Sequence, residues 1–194
     1  MKNNSLGSLY LSLIFTFCIL PNLLFGQRHF PRKDGKIVYE KVDSLKGFSK
    51  EKLYGFSKKW FADTFKNSKA VIQTEDFETG QIIGKGETYI VNPELEAKGI
   101  IFLDILSGSY RFTIQIDIKD EKYRIRIYDI ARVNRVAQYG YEILQPIEDN
   151  DKRYSEDKRR SEKWKMISPT ISVHFYGIMD SFSKEATEAK SDDF

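Results

Sequence analysis

The chain has 194 residues and a formal net charge of +3, from 31 basic and 28 acidic side chains. This length corresponds to one domain, and a near-neutral charge without a long block of one sign is not the footprint of a nucleic-acid-binding protein. One cysteine, Cys18, and two histidines, His29 and His174, are too few for a disulfide or a typical zinc site. We therefore expect no metal, no other cofactor and no nucleic-acid partner.

The N-terminal residues have the pattern of an export signal. Lys2 precedes the apolar segment Leu9–Leu20, Pro21 interrupts that segment, and Gly26 offers a small residue at the cleavage position. This pattern predicts a signal peptide over residues 1–26. The mature protein is then expected in the periplasm or at the cell surface, without a membrane span.

Two other interpretations of the same segment stay open. The segment could remain as an uncleaved membrane anchor, since about 20 apolar residues span a bilayer, although Pro21 interrupts it early. Cys18 could carry a lipid, but the preceding Phe17 is bulky where such sites have a small residue. Cleavage is the interpretation that the pattern favours.

The first part of the mature chain reads as a lead-in, a strand and a helix. Residues 27–35 contain proline and glycine and are predicted to be flexible, and Ile37–Val42 is a β-rich run. Ser49 is placed to cap a helix that follows, with Phe48 and Leu53 at the positions of a hydrophobic staple. The inward stripe of this helix consists of apolar side chains at helical spacing: Leu53, Tyr54, Phe56, Trp60, Phe61 and Phe65.

A first hairpin is predicted from Val71–Phe77 and Gln81–Val91, joined by a turn over 78–80. If Phe77 pairs with Gln81, Thr74 faces Gly84 and Ile72 faces Gly86. Two glycines two positions apart leave a strip without side chains. We expect the aromatic helix to cover that strip; a ligand groove is the other interpretation. The next apolar run, Ile100–Leu106, fits a strand or a buried helical turn. Regular secondary structure is predicted to be interrupted at Ser107–Ser109.

The second hairpin has the clearest pattern. Apolar residues alternate strictly with polar ones on both sides of Asp120-Glu121. Pairing Lys119 with Lys122 sets Ile118 opposite Tyr123, Ile116 opposite Ile125 and Ile114 opposite Ile127, and it sets Asp117 opposite Arg124 on the other face. A slip of one residue would destroy both matches.

The C-terminal part is predicted to hold one more helix. Residues 148–165 mix acids and bases, which indicates a solvated loop or a short exposed helix. Ser168-Pro169 is a cap followed by proline at the first helical position. The inward stripe of this helix is then Ile171, Phe175, Ile178 and Phe182.

The chain resembles a family of secreted bacterial proteins of unknown function with a TATA-box-binding-protein-like (TBP-like) fold. The residues that carry the resemblance are Lys59-Trp60-Phe61 with Phe65, the segment 78–86 (ETGQIIGKG), and Lys119–Arg124 leading to Tyr128-Asp129-Ile130. It covers about residues 36–130, and Glu121 departs from it where glycine is expected in the turn. It implies a single α+β domain over 36–190, in which an antiparallel sheet (strand, helix, hairpin, hairpin, helix) carries its helices on one face. It implies no activity.

The favoured functional hypothesis is a non-catalytic binding module in the periplasm or at the cell surface. The outward side of the second hairpin offers Arg124, Arg126 and Tyr128, with Thr113 and Gln115 beside them. These side chains are candidates for binding an envelope protein or peptide. The simpler interpretation of the same face is solvation, with the arginines paired to neighbours. Oligomeric state is left open by the sequence.

An envelope enzyme that uses carboxylates or His174 is the alternative. Acid catalysis needs two carboxylates in one pocket, one of them with a raised pKa. Asp104 within the apolar run 100–106 is the acid in the most apolar setting. His174 lies at the edge of the last helix's stripe, without a visible nucleophile partner. We therefore assign no catalytic residue from the sequence.

Overall fold

The structure, a computed structural model, describes residues 30–65, 71–91, 107–136 and 139–191. Its eight described strands are β1 (Arg32–Lys33), β2 (Lys36–Ile37), β3 (Tyr39–Ser44), β4 (Val71–Asp76), β5 (Gln81–Val91), β6 (Ser107–Lys119), β7 (Lys122–Val136) and β8 (Tyr141–Pro146). The described helices are α1 (Lys50–Thr64), α2 (Ile147–Glu156) and α3 (Ser161–Ser191). The predicted signal peptide and the run 100–106 lie outside the described residues.

One antiparallel sheet organises the molecule. Its strand order is β3-β7-β6-β5-β4, and β8 pairs with the second half of β7, so that β3 and β8 lie on the same side of β7. A single apolar core joins the sheet to side chains from all three helices. The α+β fold with an antiparallel sheet and helices on one face is thus confirmed.

The second hairpin has the predicted register. Ile118 pairs with Tyr123, Ile116 with Ile125 and Ile114 with Ile127, and the isoleucines are at most 1% exposed. Its turn places Glu121 at φ +58°, a conformation that glycine adopts more easily. The backbone of Glu121 is held there by two hydrogen bonds, because its N–H donates to Phe48 O and its carbonyl accepts from Leu45 N.

The register predicted for the first hairpin is wrong. Asp76, rather than Phe77, pairs with Gln81, and Ile72 faces Gly84 instead of Gly86. The turn is one residue longer than expected, since Gly80 N donates to Phe77 O and closes it. A bulge between Ile72 and Thr74 shifts the rest of the strand.

The strip of glycines in β5 lies under the aromatic helix, as expected. Ser49 caps α1 and accepts a hydrogen bond from Lys52 N, so the helix begins at the predicted position. A Cβ atom on Gly84 would come within 2.7 Å of Phe61 Cε1, and one on Gly86 within 3.2 Å of Phe65 Cε1. The close approach is therefore one of core packing, and the ligand-groove interpretation is wrong.

Gly84→Ala is expected to lower the free energy of unfolding by about 1 kcal/mol, because the added methyl group pushes against a ring that can shift only partly. Gly55→Ala is the matched control. Gly55 lies within α1 with no heavy atom near its Cβ position, and there alanine should stabilise the protein by about 0.5–1 kcal/mol. Urea denaturation of both variants measures the difference, and two changes of the same sign would contradict this packing.

Part of the predicted flexible lead-in is ordered. Residues 32–37 form a small hairpin of β1 and β2, and Phe30 before it is 5% exposed with its ring 5.9 Å from that of Trp164. The hairpin is fixed to α2, because Ile37 N donates to Glu148 Oε1. The prediction overlooked Phe30, which gives this segment an apolar anchor.

The structure also differs from the prediction of a solvated segment over 148–165. It contains α2 and the start of α3, and it buries Asn150, Tyr154 and Trp164. The interleaved charges occupy the outer sides of the helices and conceal the widely spaced aromatic residues. Trp164 Nε1 donates to Asp151 Oδ1, which joins the two helices.

The last helix begins earlier than predicted. Pro169 lies inside α3, and the buried stripe extends back through Ile167. Asp157 Oδ1 accepts hydrogen bonds from Arg159 N and Arg160 N. The carboxylate of Asp157 therefore stabilises the turn that precedes α3. Of the predicted stripe, Ile171, Phe175 and Phe182 are fully buried and Ile178 is partly buried.

The predicted interruption of regular structure at 107–109 is wrong, since these residues begin β6.

Candidate functional site

The three predicted binding residues lie on the face of the sheet that points away from the helices. Arg124, Arg126 and Tyr128 occupy alternate positions of β7, opposite Asp117, Gln115 and Thr113 of β6. The intervening residues Ile125 and Ile127 are buried in the core. We call this side of the sheet the outer face.

Asp117 is the centre of a polar cluster on the outer face. Its Oδ2 accepts hydrogen bonds from Arg124 Nε at 2.9 Å and Arg126 Nη2 at 3.2 Å. Its Oδ1 accepts from Gln115 Nε2 at 2.7 Å and Gln81 Nε2 at 3.1 Å. Burial opposes ionisation of this carboxyl, but the hydrogen bonds from both glutamines and from Arg124 outweigh it and lower the pKa of Asp117.

Gln115 and Thr113 are less accessible than the sequence suggested. They are 6% and 8% exposed, so they are buried although they lie on the polar side of the strand. Tyr128 donates from its hydroxyl group to Gln115 Oε1 at 3.2 Å. Long side chains on the neighbouring strand therefore shield the shorter side chains of β6, and the accessible part of the cluster belongs to β7.

The guanidinium groups of the cluster are only partly engaged. Arg124 and Arg126 share one carboxylate oxygen of Asp117, while each guanidinium carries several N–H donors. Arg126 Nε is buried without a hydrogen-bond partner in the described part of the chain. Pairing of the arginines with a neighbour, the simpler interpretation, is thus observed, while 42% of the Arg124 side chain and 25% of the Arg126 side chain stay exposed.

A second polar network, which the sequence analysis did not identify, lies farther along the same face. Arg111 contacts Glu87 at 2.9 Å and Glu142 at 2.8 Å. Arg135 contacts Glu142 at 3.1 Å and also pairs with Glu87. The four side chains close a ring across β5, β6, β7 and β8.

The ring is electrostatically matched. Burial opposes ionisation of Glu87, but hydrogen bonds from Arg135 and Arg111 outweigh it and keep the pKa of Glu87 below its ordinary value. The pKa of Glu142 is also lowered, chiefly by its hydrogen bond from Arg111. Arg111 continues the alternation of Thr113, Gln115 and Asp117 by one more step, and that signal could have placed it on the outer face.

Two open cavities border the Asp117 cluster. One, of about 310 Å³, lies at the tip of the second hairpin, where Val42, Lys122 and Arg124 contribute to its lining. The other, of about 410 Å³, lies between the β1–β2 hairpin and the sheet, lined in part by Lys36 and Tyr128. Both cavities lie beside the accessible arginines of β7.

The candidates for catalysis do not form a site in the described residues. His174 Nε2 lies 2.9 Å from Thr88 Oγ1, and burial lowers the pKa of the imidazole. No hydrogen bond joins His174 to a carboxylate in the ranges that the structure describes. In those ranges no three histidine, cysteine, aspartate or glutamate side chains form a group that could hold a metal. Asp104 lies outside them.

Comparison with known proteins identifies the fold family. Residues 39–132 match the family model described as a domain of unknown function (DUF4468) with TBP-like fold. This part of the chain is similar to DUF4468 domains. This match includes the whole Asp117 cluster, whereas Arg135 and Glu142 of the second network lie beyond it.

Two solved structures share the architecture of this chain. A TBP-like protein from Parabacteroides distasonis is 13% identical, with a TM-score of 0.55 over 79% of this chain and 97% of the other. A DUF4468 family protein from Bacteroides ovatus is 19% identical, with a TM-score of 0.55 over 79% of this chain and 89% of the other. No curated protein matches the chain. Likeness at these identities establishes the fold alone.

None of the helices in the described ranges is both long and apolar enough to cross a membrane.

Proposed function

We propose that this protein is an exported, non-catalytic binding module of the cell envelope, which contacts a partner protein or peptide through the outer face. The observation that carries the proposal is the grouping of Arg124, Arg126 and Tyr128 around Asp117, with both arginines partly exposed beside two open cavities. Export is proposed from the leader pattern of residues 1–26.

The charge pattern of the outer face favours a polypeptide partner. Carboxylates at Asp117, Glu87 and Glu142 lie among the arginines, whereas a nucleic-acid surface presents a basic stripe that neutralises phosphates. Interleaved charges of both signs are typical of protein surfaces that select a partner through complementary potentials. Arginine and tyrosine are also enriched at the energetic centres of such interfaces.

Site-specific photo-crosslinking in the native envelope tests this proposal. A photoreactive amino acid is placed at Lys85, which is exposed on the outer face, or at Val173, which is 59% exposed on α3. We expect a distinct crosslinked species from position 85 and none from position 173. Arg124→Ala/Arg126→Ala should remove that species from the Lys85 variant, because it removes the accessible donors.

Two results would contradict the proposal. Crosslinking of the same species from both positions would show contact without preference for the outer face. A species that survives Arg124→Ala/Arg126→Ala in a folded protein would place the contact elsewhere. N-terminal sequencing of the mature protein checks the export step, with Gln27 as the expected first residue.

A further inference from the structure

The cavity at the tip of the second hairpin, here called the tip cavity, is lined by more cations than anions. Lys119, Lys122 and Arg124 contribute to its lining, and Asp117 is the one carboxylate among the described residues that line it. Asp117 already accepts hydrogen bonds from both Arg124 and Arg126. The far end of the outer face is balanced, because its ring joins two arginines to two glutamates. Positive charge is therefore concentrated at the tip end of the outer face.

The two lysines are neighbours of like charge. Lys119 pairs with Lys122 in the last step of the strand ladder before the turn, and both residues are exposed. Directly opposed side chains have Cβ atoms about 4.5–5.5 Å apart, and like charges at such positions destabilise a sheet. No ion pair with a described residue reaches either lysine. An anion placed between the two ammonium groups would relieve this repulsion.

The acidic residues of the turn serve the other side of the hairpin. Asp120 Oδ1 accepts a hydrogen bond from Lys50 N at 2.9 Å, at the start of α1, and Glu121 Oε1 accepts one from Gly47 N. Backbone donors of the segment that leads into α1 thus hold both carboxylates, and the helix dipole favours negative charge there. These two carboxylates do not line the tip cavity.

The tip cavity also has an apolar wall. Val42 of β3 is 50% exposed beside Arg124, and Ile118 and Tyr123 contribute to the lining. Ligand sites typically combine apolar walls with a few polar groups that fix orientation. A cavity of about 310 Å³ with this composition suits a short peptide segment that carries both carboxylates and an apolar side chain. A phosphate backbone supplies the negative charge without the apolar side chain.

The segment between β5 and β6 cannot cover the tip cavity. Residues 92–106 follow Val91 and precede Ser107, which pair with each other at the far end of the sheet. Lys119 lies twelve positions beyond Ser107 along β6, about 40 Å away at about 3.3 Å per residue. Fifteen residues anchored at both ends reach no more than about 27 Å from their anchors. The cations at the tip therefore stay open to a partner from this direction.

We propose that the tip cavity binds an acidic segment of the partner polypeptide. Its carboxylates lie between Lys119, Lys122 and Arg124, and its apolar side chain packs against Val42. This inference rests on the proposed function and names the chemistry of the partner. Complementary charge favours such an occupant over a basic or neutral one, and ammonium and guanidinium groups form their strongest hydrogen bonds with carboxylates.

Fluorescence anisotropy with a labelled peptide tests the chemistry of the ligand. The acidic peptide is Glu-Asp-Leu-Glu-Asp with blocked termini, and Gln-Asn-Leu-Gln-Asn is its neutral counterpart of the same size. The mature protein should bind the acidic peptide at least about tenfold more tightly than the neutral one. Lys119→Gln/Lys122→Gln should weaken binding of the acidic peptide by about tenfold. Lys158→Gln/Lys163→Gln removes the same charge from exposed positions elsewhere and should leave this affinity unchanged.

Several results of this measurement would overturn the inference. Equal binding of the two peptides, or no binding of the acidic one at about 1 mM, would remove the preference for carboxylates. An equal loss of affinity in the two double-lysine variants, both verified as folded by circular dichroism, would show general attraction by charge. Tighter binding of pentathymidylate, which carries four phosphate groups, would assign the cations to phosphate. A gain in affinity in Asp192→Asn/Asp193→Asn would assign them to acidic residues of this chain.

Crosslinking in the native envelope separates this inference from the proposed function. With the photoreactive residue at position 85, Lys119→Gln/Lys122→Gln should reduce the yield of the crosslinked species. A species that keeps its full yield in this variant, yet is lost in Arg124→Ala/Arg126→Ala, would support the proposed function and overturn the acidic-segment inference. Absence of any species in the otherwise wild-type protein would contradict the proposed function, whereas anisotropy decides by itself whether the tip cavity selects acidic peptides.

Discussion

Phe182→Ala is expected to lower the free energy of unfolding by about 3–5 kcal/mol. Phe182 is completely buried in α3, and its ring contacts three other aromatic rings. The ring centroids lie 4.8 Å from Tyr123 in β7, 5.1 Å from Trp60 and 5.3 Å from Phe56 in α1. The substitution therefore leaves a cavity at the point where the last helix, the first helix and the sheet meet.

Urea denaturation followed by tryptophan fluorescence measures this loss, and Val173→Ala is the control on the same helix. Val173 is 59% exposed, and surface substitutions of this kind change stability by no more than about 0.5 kcal/mol. If the two variants lost the same amount, α3 would not pack as described.

Local alternation explains why the register of the second hairpin next to its turn could be predicted. Its strands are adjacent in the chain, and both faces of the pattern agree on one register, so that no distant residue is needed to choose it. The first hairpin lacked that constraint. Its bulge after Ile72 breaks the period of two, and the four-residue turn closed by Gly80 has no stronger signal than a three-residue one.

The helices also differ in how well the sequence predicts them. The stripe of α1 is dense enough in aromatic residues to predict both the helix and its buried side. In α2 and the start of α3, Tyr154 and Trp164 are separated by charged residues, and the buried side becomes visible only when Phe30 packs against Trp164. A proline at position 169 also resembles a helix start, although here it lies inside α3.

The part of the candidate site that lies on β7 could be predicted from the sequence, but the contacts between non-adjacent segments could not. Alternation along β7 places Arg124, Arg126 and Tyr128 on one face, and it pairs Arg124 with Asp117. The second network depends on β5 meeting β6 and β7 meeting β8, so that the contact of Arg111 with Glu87 follows from strand order. Strand order is a property of the whole fold, and the local pattern does not encode it.

Asp117→Asn is expected to lower the free energy of unfolding by about 2 kcal/mol at neutral pH. The amide carries no charge, so two neighbouring guanidinium groups lose their shared counter-ion, and its Nδ2 meets other donors. Removing one partner of a fully buried pair costs about 3–5 kcal/mol. The smaller value is expected here because Asp117 keeps 22% of its side chain exposed and solvent screens the interaction.

The same substitution should change how stability depends on pH. The pKa of Asp117 is lowered in the folded protein, whereas an unfolded chain has an aspartate pKa of about 3.9. A lowered pKa contributes stability above the unfolded-state value, and that contribution is lost as pH falls through the folded-state value. The difference in the free energy of unfolding between wild type and Asp117→Asn should therefore be constant near neutrality and shrink as the pH falls below about 4.

Urea denaturation across this pH range measures that difference, with Asp34→Asn as an exposed control of the same chemical change. A difference that stayed constant down to the lowest pH would mean that the arginines and glutamines around Asp117 do not hold it as a carboxylate.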